Sequence, residues 1–203
     1  MCIRDRVNTV LNADIENMYG TAAQRSQVLG DAHFIRAAIY FQFHMTFTHP
    51  TTQKSVPLVT TVLGTNAIVT QATGSELIAQ FEYDIEEARK HFAISNGVTT
   101  HVAATAMAAR MYFYLGKYDL AYARANEVIA SGAHSLEANV ADIYSKGNAS
   151  AESIYTIITN RTENSFGVQN IMNNNFQADK DNGVASLNPY SLIAQFRNAN
   201  PSD

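Results

Sequence analysis

One segment of the chain, residues 34–45, carries apolar side chains around most of a helix circumference. The apolar residues recur at steps of three and four, the period of an α-helix, and they are Phe34, Ala37, Ala38, Phe41 and Met45, with Ile35 and Ile39 beside them. A helix with so little polar surface packs between other helices instead of lying on the outside of a domain. The segment therefore predicts the inner helix of a helical hairpin or solenoid.

The polar residues of the same helix fall on one face. At roughly 100° per residue, His33, Arg36, Tyr40 and His44 lie within an arc of about 80°. Such a stripe suits anion binding or acid–base chemistry, whereas in a scaffold these long side chains bury their stems and hydrogen-bond a neighbouring helix. No carboxylate or further histidine lies at a step that completes a metal site or a triad, which favours the structural interpretation.

Periodicity, caps and breakers predict the other elements. Helices are expected over residues 7–19, from Ala22 to the His49-Pro50 pair, after an N-cap at Gly74-Ser75, from Thr99 to the turn at Gly116, over Tyr118–Ala130 and over residues 189–198. Residues 50–73 are rich in β-branched side chains and predict an ordered loop or short strands. Residues 152–161 predict a strand, and the following Asn-rich segment is aperiodic. In the helix after Tyr118 the residues expected to point inward are Leu120, Ala121, Ala125, Val128 and Ile129.

The third helix combines an apolar stripe with an acidic run. The stripe is made of Leu77, Phe81, Ile85, Ala88 and Phe92, and the run of Glu82, Asp84, Glu86 and Glu87. Paired carboxylates are the groups that glycosidases use, but a solvated helix face with a Glu86–Lys90 pair is the favoured interpretation. Glu87 and His91 have metal-ligand chemistry, yet no third ligand is indicated.

Two segments of the sequence resemble each other at a fixed distance. "AAIYFQF" and "AARMYFYL" place their alanine pairs 71 positions apart, about twice the 34-residue period of a tetratricopeptide array. The extended insert at residues 50–73 breaks strict tandem spacing. We therefore predict a mostly α fold of degenerate tetratricopeptide-like hairpins, with long irregular loops and a minor β component.

Composition excludes several classes of function. The 203-residue chain has a formal charge of -4 and no basic run, so nucleic acid and anionic membrane surfaces are not expected partners. The single Cys2 excludes an intramolecular disulfide and a cysteine-based metal site. The opening "MCIRDR" carries charges where a signal peptide has its apolar core, so residues 1–6 are predicted to be a non-native leader on an incomplete sequence.

Five segments of the sequence form a set of motifs. In chain order they are "GDAHFIRAAIYFQF" with "VPLV", "ELIAQFEYDIEEARKHF", "HVAATAMAARMYFYLGKYDLAYARANEVIASGAHSL", "NASAESIYTI" and "LNPYSLIAQF". Together and in this order they resemble the RagB/SusD family of nutrient-binding outer-membrane lipoproteins of the Bacteroidota. The positions that carry the resemblance as structural motif residues are Asp31, Arg36, Tyr40, Arg110, Gly116 and Tyr118. His33 and His44 fall on variable positions of the pattern, and Cys2 does not match the lipid-anchor motif.

The resemblance implies a binding protein and not an enzyme. Family members are lipid-anchored, face outward, and deliver an oligosaccharide or peptide to a TonB-dependent, SusC-like transporter. The domain organisation implied is a tetratricopeptide-like scaffold over residues 7–147, followed by the start of an irregular ligand-binding portion over residues 148–203, truncated relative to the family. Neither a cofactor nor a metal is implied. The runner-up is a tetratricopeptide-type scaffold that binds a protein segment.

Glycan-binding members of the family use exposed aromatics, which stack on sugar rings, and polar side chains that bond the hydroxyl groups. On this basis the candidate ligand-binding residues are Phe166, Asn173, Asn174, Phe176 and Tyr190. A polar connecting loop without a ligand remains the alternative for each of them.

Overall fold

The fold is built from helices that pack in pairs. The structure is a computed structural model and describes residues 3–64, 66–94 and 100–156. The helices of these residues are α1 (Ile3–Leu11), α2 (Ala22–Phe47), α3 (Gly74–Phe92), α4 (His101–Tyr114), α5 (Tyr118–Ala130) and α6 (Val140–Lys146), with short 3-10 turns at Ile15–Asn17 and Gly147–Ala149. The predicted mostly helical fold of hairpins is confirmed.

Two antiparallel hairpins form the centre of the described part. In the first, α2 packs along α3, so that the rings of Phe41 and Phe81 lie 5.7 Å apart at one level and those of Phe34 and Phe92 6.3 Å apart at another. In the second, α4 packs along α5, and α3 also contacts α4. The core is shared between the hairpins and contains Phe34, Ala37, Phe81, Ile85, Ala88, Phe92, Ala104, Ala108, Met111, Tyr112 and Ala121. The predicted apolar stripe of α3 is therefore correct.

Local sequence signals explain where these helices begin and end. Thr21 accepts a hydrogen bond from Gln24 N–H while its own N–H donates to the Gln24 side chain, and Thr73 forms the same capping box with Glu76. The N-cap of α3 is thus Thr73 and not the predicted Gly74-Ser75 pair, because a threonine hydroxyl accepts the orphan N–H of the first turn and glycine cannot. Gly116 has φ of +72°, and Lys117 N–H donates to the Tyr112 carbonyl at 2.9 Å, which closes α4 with a left-handed turn.

The insert between α2 and α3 is extended and anchored at both ends. Ser55 N–H donates to the Ala72 carbonyl at 2.7 Å beside an isolated antiparallel bridge between Lys54 and Thr73. Farther on, the backbone of Val59 lies buried against α1 and α2. The described residues, 3–64, 66–94 and 100–156, contain no β-strand, so this single bridge is all of their β structure.

Several sequence predictions differ from the structure. The first helix covers Ile3–Leu11 and not residues 7–19, because Asn12 and Asp14 favour turns over helix and a 3-10 turn follows instead. Residues 152–156, the described half of the predicted strand, do not form a strand. The short helix α6 is absent from the sequence prediction, and none of its side chains is buried in the structure. The predicted helix at 189–198 lies outside the described residues.

The predicted inner face of α5 is largely wrong. Of its five residues only Ala121 is buried, whereas Ile129 is 74% exposed and Leu120 44% exposed. The helical period is right, but the residue that α5 buries is the small Ala121, while Val128 is half-buried and Leu120 and Ile129 face outward. All described residues belong to one unit that ends at Thr156. The domain boundary at residue 147 and the leader at residues 1–6 stay predictions.

Candidate functional site

A buried carboxylate lies at the centre of the α2–α3 hairpin. Asp84 of α3 is 0% exposed, and its two oxygens accept hydrogen bonds from three side chains. Arg36 donates from Nη2 and Nε at 2.8 and 2.9 Å, Gln80 from Nε2 at 2.9 Å, and His33 from Nδ1 at 2.8 Å. A guanidinium that meets a carboxylate with two parallel bonds is the strongest arrangement of this pair.

The environment of Asp84 keeps it ionised. Burial alone raises the pKa of the carboxyl, but the hydrogen bonds from His33, Arg36 and Gln80 and the charge of Arg36 outweigh burial and hold the pKa below its usual value. Since a carboxylate only accepts hydrogen bonds, the Nδ1 atom of His33 carries a proton. The buried charge is therefore paired and fully hydrogen-bonded, the condition under which a protein tolerates it.

The same network reaches the insert through α1. Arg36 Nη1 donates to Oδ1 of the buried Asn8 at 3.2 Å, and Asn8 Nδ2 donates to the Val59 carbonyl at 2.8 Å. Tyr40 makes two bonds to the same loop residue, donating from its hydroxyl to the Val59 carbonyl at 2.5 Å and accepting from the Val59 N–H at 2.8 Å. Burial raises the pKa of the Tyr40 hydroxyl. One chain of polar contacts thus fixes α3, α2, α1 and the insert together.

This network contains the side chains of an acid–base site, but its charged groups are not exposed to solvent. Asp84 orients the His33 ring as a catalytic carboxylate would, yet Asp84 and Arg36 are both buried. The Ser26 hydroxyl is engaged by His91, since it donates to the His91 carbonyl at 3.0 Å and lies 3.1 Å from the His91 Nδ1 atom. A substrate therefore cannot reach the charged groups, and the arrangement is a structural one.

Sequence reasoning missed the partner of the polar face on α2. Helical periodicity relates residues of one helix, whereas Asp84 lies 48 positions from Arg36 on the antiparallel partner helix. The prediction of a solvated face for the acidic run is wrong for Asp84, which is buried. A signal was present, because Asp84 directly precedes Ile85 and follows Phe81 by three positions, on the buried side of the stripe.

The glutamates of the acidic run are engaged in ion pairs. Glu86 binds Arg89 at 2.5 Å and Arg124 at 2.7 Å, and not Lys90 as predicted. Lys90 pairs with Glu87 three positions earlier, because that spacing also brings side chains together on a helix. Glu82 binds Lys117 across the hairpins. The ion pairs of Glu82 and Glu86 therefore connect α3 to the turn after α4 and to α5.

The remaining motif residues lie on the surface of the scaffold. Asp31 accepts a hydrogen bond from Gln27 at 2.9 Å, Arg110 lies 5.9 Å over the ring of Tyr114, and the Tyr118 ring contacts Phe113. The five predicted ligand-binding residues, Phe166, Asn173, Asn174, Phe176 and Tyr190, lie outside the described residues. Within the described residues no cluster of three His, Cys, Asp or Glu side chains has the geometry to hold a metal ion.

Of the grooves on the described surface, two lie against α4. One, of about 400 Å³, lies between α4 and residues 152–155 and is lined by Phe34, Met107, Arg110, Glu152, Ser153 and Tyr155. Tyr155 packs edge-on against Phe34, with ring centroids 5.3 Å apart, and is 46% exposed. The other, of about 480 Å³, lies between α4 and α5 and is lined by alanines and by Phe113, Tyr118 and Tyr122. Among the described helices, none has both the length and the apolar content of a membrane-spanning helix.

Comparisons with known proteins give the fold. No family model and no curated protein sequence matches the chain. A laminarin-binding SusD-like protein superposes with a TM-score of 0.61 at 23% identity, over 71% of this chain and 33% of that one. A SusD superfamily protein from Bacteroides thetaiotaomicron gives 0.66 at 20% identity, over 81% and 38%. A SusD-like carbohydrate-binding protein from Bacteroides vulgatus gives 0.65 at 17%, over 78% and 36%.

The hairpins and their shared core define a tetratricopeptide-like helical scaffold. More particularly, the structural matches assign it the SusD-like fold, which the sequence motifs predicted. The chain spans about a third of the length of these solved structures.

Proposed function

We propose that the chain belongs to a nutrient-binding subunit that captures a glycan or peptide without chemical change. The observation that carries this proposal is the SusD-like fold of the described helices, since two of the matched proteins are described as laminarin-binding and carbohydrate-binding. From the same likeness, we propose that the subunit delivers its ligand to a TonB-dependent, SusC-like transporter at the outer membrane. We also propose that a lipid anchor holds the complete protein there.

The groove between α4 and residues 152–155 has chemistry suited to a sugar. The ring of Tyr155 offers an apolar face against which the C–H bonds of a pyranose stack. Arg110 and Glu152 on the rim offer planar groups that bond hydroxyls, and a mostly apolar groove with a few polar groups is typical of ligand sites. We propose this groove as one ligand surface, and Phe166, Asn173, Asn174, Phe176 and Tyr190 as candidates for another.

We further propose that the subunit has no catalytic activity. A glycosidase needs two carboxyl groups that are free to act as acid and as nucleophile or base. Glu82 and Glu86 are bound to Lys117, Arg89 and Arg124. Glycan turnover that disappears on replacing Glu82 and Glu86 would establish the opposite.

Affinity electrophoresis of the 203-residue chain in gels that contain single glycans tests the proposal. Retardation by at least one glycan is expected, and Tyr155→Ala, Phe176→Ala and Tyr190→Ala are each expected to reduce it. The control is Tyr144→Ala, which removes an exposed tyrosine that lines neither groove. Unchanged retardation in all three variants would show that these residues are not the site.

A protein-binding scaffold is the second candidate function, and one observation favours it. The groove between α4 and α5 combines small alanines with the exposed rings of Phe113, Tyr118 and Tyr122, the surface against which an amphipathic helix packs. Binding of helical peptides that Tyr122→Ala abolishes, without retardation by any glycan, would support this candidate over the first.

A further inference from the structure

The groove beside Tyr155 contains an arginine whose charge has no counterion. Arg110 of α4 is exposed, and among the described residues its guanidinium forms no ion pair and no hydrogen bond. Its contact with the protein is the ring of Tyr114, whose centroid lies 5.9 Å from Cζ. By contrast, Arg36 and Arg89 of the scaffold meet carboxylates at 2.8 and 2.6 Å. The donors of Arg110 are therefore available to a ligand.

The opposite wall of the same groove carries a carboxylate. Glu152 is half-buried, and its Oε2 atom accepts a hydrogen bond from the Glu137 N–H at 3.1 Å. Glu152 and Arg110 both line the groove but do not form an ion pair with each other. A molecule in the groove thus meets a cation from α4 and a hydrogen-bond acceptor from residues 152–155.

An aromatic ring in this groove is supported from the core. The ring of Tyr155 packs edge-on against the buried Phe34 at 5.3 Å, yet Tyr155 stays 46% exposed. A ring that is already supported loses less conformational freedom when a ligand stacks on it than a free side chain does. The groove therefore combines a cation, an acceptor and a flat apolar surface.

We propose, on the basis of the glycan-binding function proposed above, that this groove takes an acidic sugar, a hexuronate, in preference to a neutral one. A pyranuronate ring carries a carboxylate on C5, hydroxyl groups across the ring on C2 and C3, and a face of C–H bonds. Its carboxylate accepts two parallel bonds from Arg110, its hydroxyls donate to Glu152, and its C–H face stacks on Tyr155. One sugar residue thus satisfies all three groups of the groove.

The charge of Arg110 distinguishes the acidic sugar from the neutral one. A hydrogen bond between a guanidinium and a carboxylate is about twice as strong as one between neutral groups, and a neutral sugar leaves Arg110 without a counterion. The formal charge of -4 on the chain disfavours anions in general. Salt screens charges that lie farther away than about 10 Å, however, whereas the contact with Arg110 is direct.

Titration calorimetry of the 203-residue chain tests this preference with oligogalacturonate and oligomannuronate, each beside its methyl ester. The ester keeps the ring and the hydroxyl groups and removes the charge. We expect at least one free acid to bind about tenfold more tightly than its ester, because hydrogen bonds to a charged group are the stronger ones. The difference is expected to shrink at high salt.

Two variants separate the charge of Arg110 from the shape of the groove. Arg110→Gln keeps a planar amide without the charge and is expected to bind the free acid and its ester equally. Arg6→Gln replaces an exposed arginine of α1 that does not line the groove and is expected to keep the wild-type preference.

Three results would overturn the proposal of an acidic sugar. They are equal affinity of the wild type for the free acids and their esters, a preference for the acid that survives in Arg110→Gln, and no binding of either free acid. Binding of neutral glycans alone would overturn it and leave the proposed glycan-binding function intact. Failure of every glycan and peptide would instead contradict that function itself.

Discussion

Arg36 is the cation that pairs with the buried carboxylate of Asp84, and its loss leaves a buried charge without its cation. Its guanidinium meets both oxygens of Asp84 and continues to Asn8. Removing one member of a buried ion pair costs about 3–5 kcal/mol, because the remaining charge stays in a medium that solvates it poorly. Arg36→Ala is expected to lower the unfolding free energy by about that much.

Chemical denaturation of Arg36→Ala beside Arg6→Ala measures this effect. Arg6 is exposed on α1, so its replacement is expected to change stability by less than about 0.5 kcal/mol. If Arg36→Ala unfolds at the wild-type denaturant concentration, the Asp84 network does not hold the hairpin.

The histidine pair between α2 and α3 makes a second prediction at the scale of residues. The rings of His33 and His91 lie 5.9 Å apart and nearly parallel. Burial, and then the neighbouring His33, lower the pKa of His91 from its ordinary value of 6.5, although Glu87 partly offsets them. Below pH 6.5 the unfolded chain therefore binds a proton at His91 more readily than the folded chain does. The contribution of His91 to the unfolding free energy is complete above pH 6.5 and is lost as the pH falls from 6.5 through the lower pKa of the folded chain.

Melting temperatures at about pH 8 and about pH 5.5 test the sign of this contribution. His91→Gln keeps an amide donor for the Ser26 hydroxyl and removes the titrating group. The variant is expected to lose less stability on acidification than the wild type. An equal or larger loss in His91→Gln would mean that His91 does not titrate as described.

At the scale of elements, the close approach of α2 and α3 depends on Gly30. A Cβ atom on Gly30 would lie 2.5 Å from Cε1 of Phe92, well inside van der Waals contact. Alanine has a higher helix propensity than glycine by about 1 kcal/mol, which favours the variant, whereas the close contact with Phe92 disfavours it. The sign of the change in unfolding free energy shows which effect is larger. Gly30→Ala is expected to destabilise the fold by about 1–3 kcal/mol, since the Phe92 ring is buried in the shared core.

Gly64→Ala is the matched control, because nothing lies within 4 Å of its added Cβ. Thermal unfolding of both variants is expected to separate them clearly. If Gly30→Ala is as stable as Gly64→Ala, then α2 and α3 lie farther apart than in this structure.

The elements were predictable from local signals, and their partners were not. The bounds of α5 and the end of α2 follow from the Gly116 turn and from Pro50, which act within a few residues. The pairing of Arg36 with Asp84 depends on the register of two helices about 50 positions apart, which periodicity does not fix. For the same reason the outward face of α5 was mispredicted, since an apolar stripe does not show whether a neighbour covers it.

At the scale of the whole molecule, the order of the motifs predicted the fold better than any one element did. Five short segments in sequence pointed to a SusD-like scaffold, and the superposed structures share that fold at 17–23% identity. The ligand surface was less predictable, because recognition depends on loop residues whose position no periodicity specifies. The groove beside Tyr155 joins side chains from α2, α4 and residues 152–155, a set that only the packed helices bring together.

Titration calorimetry of the 203-residue chain with soluble glycans, followed by chromatography of the recovered glycan, tests the central claim most directly. Laminarin is the first ligand to use, since a matched SusD-like protein is described as binding it. A saturable heat with at least one glycan of the panel, and recovery of that glycan unchanged, is the result expected of a noncatalytic binding subunit. The absence of binding to every glycan and peptide tried, or recovery of shortened glycan, would contradict it.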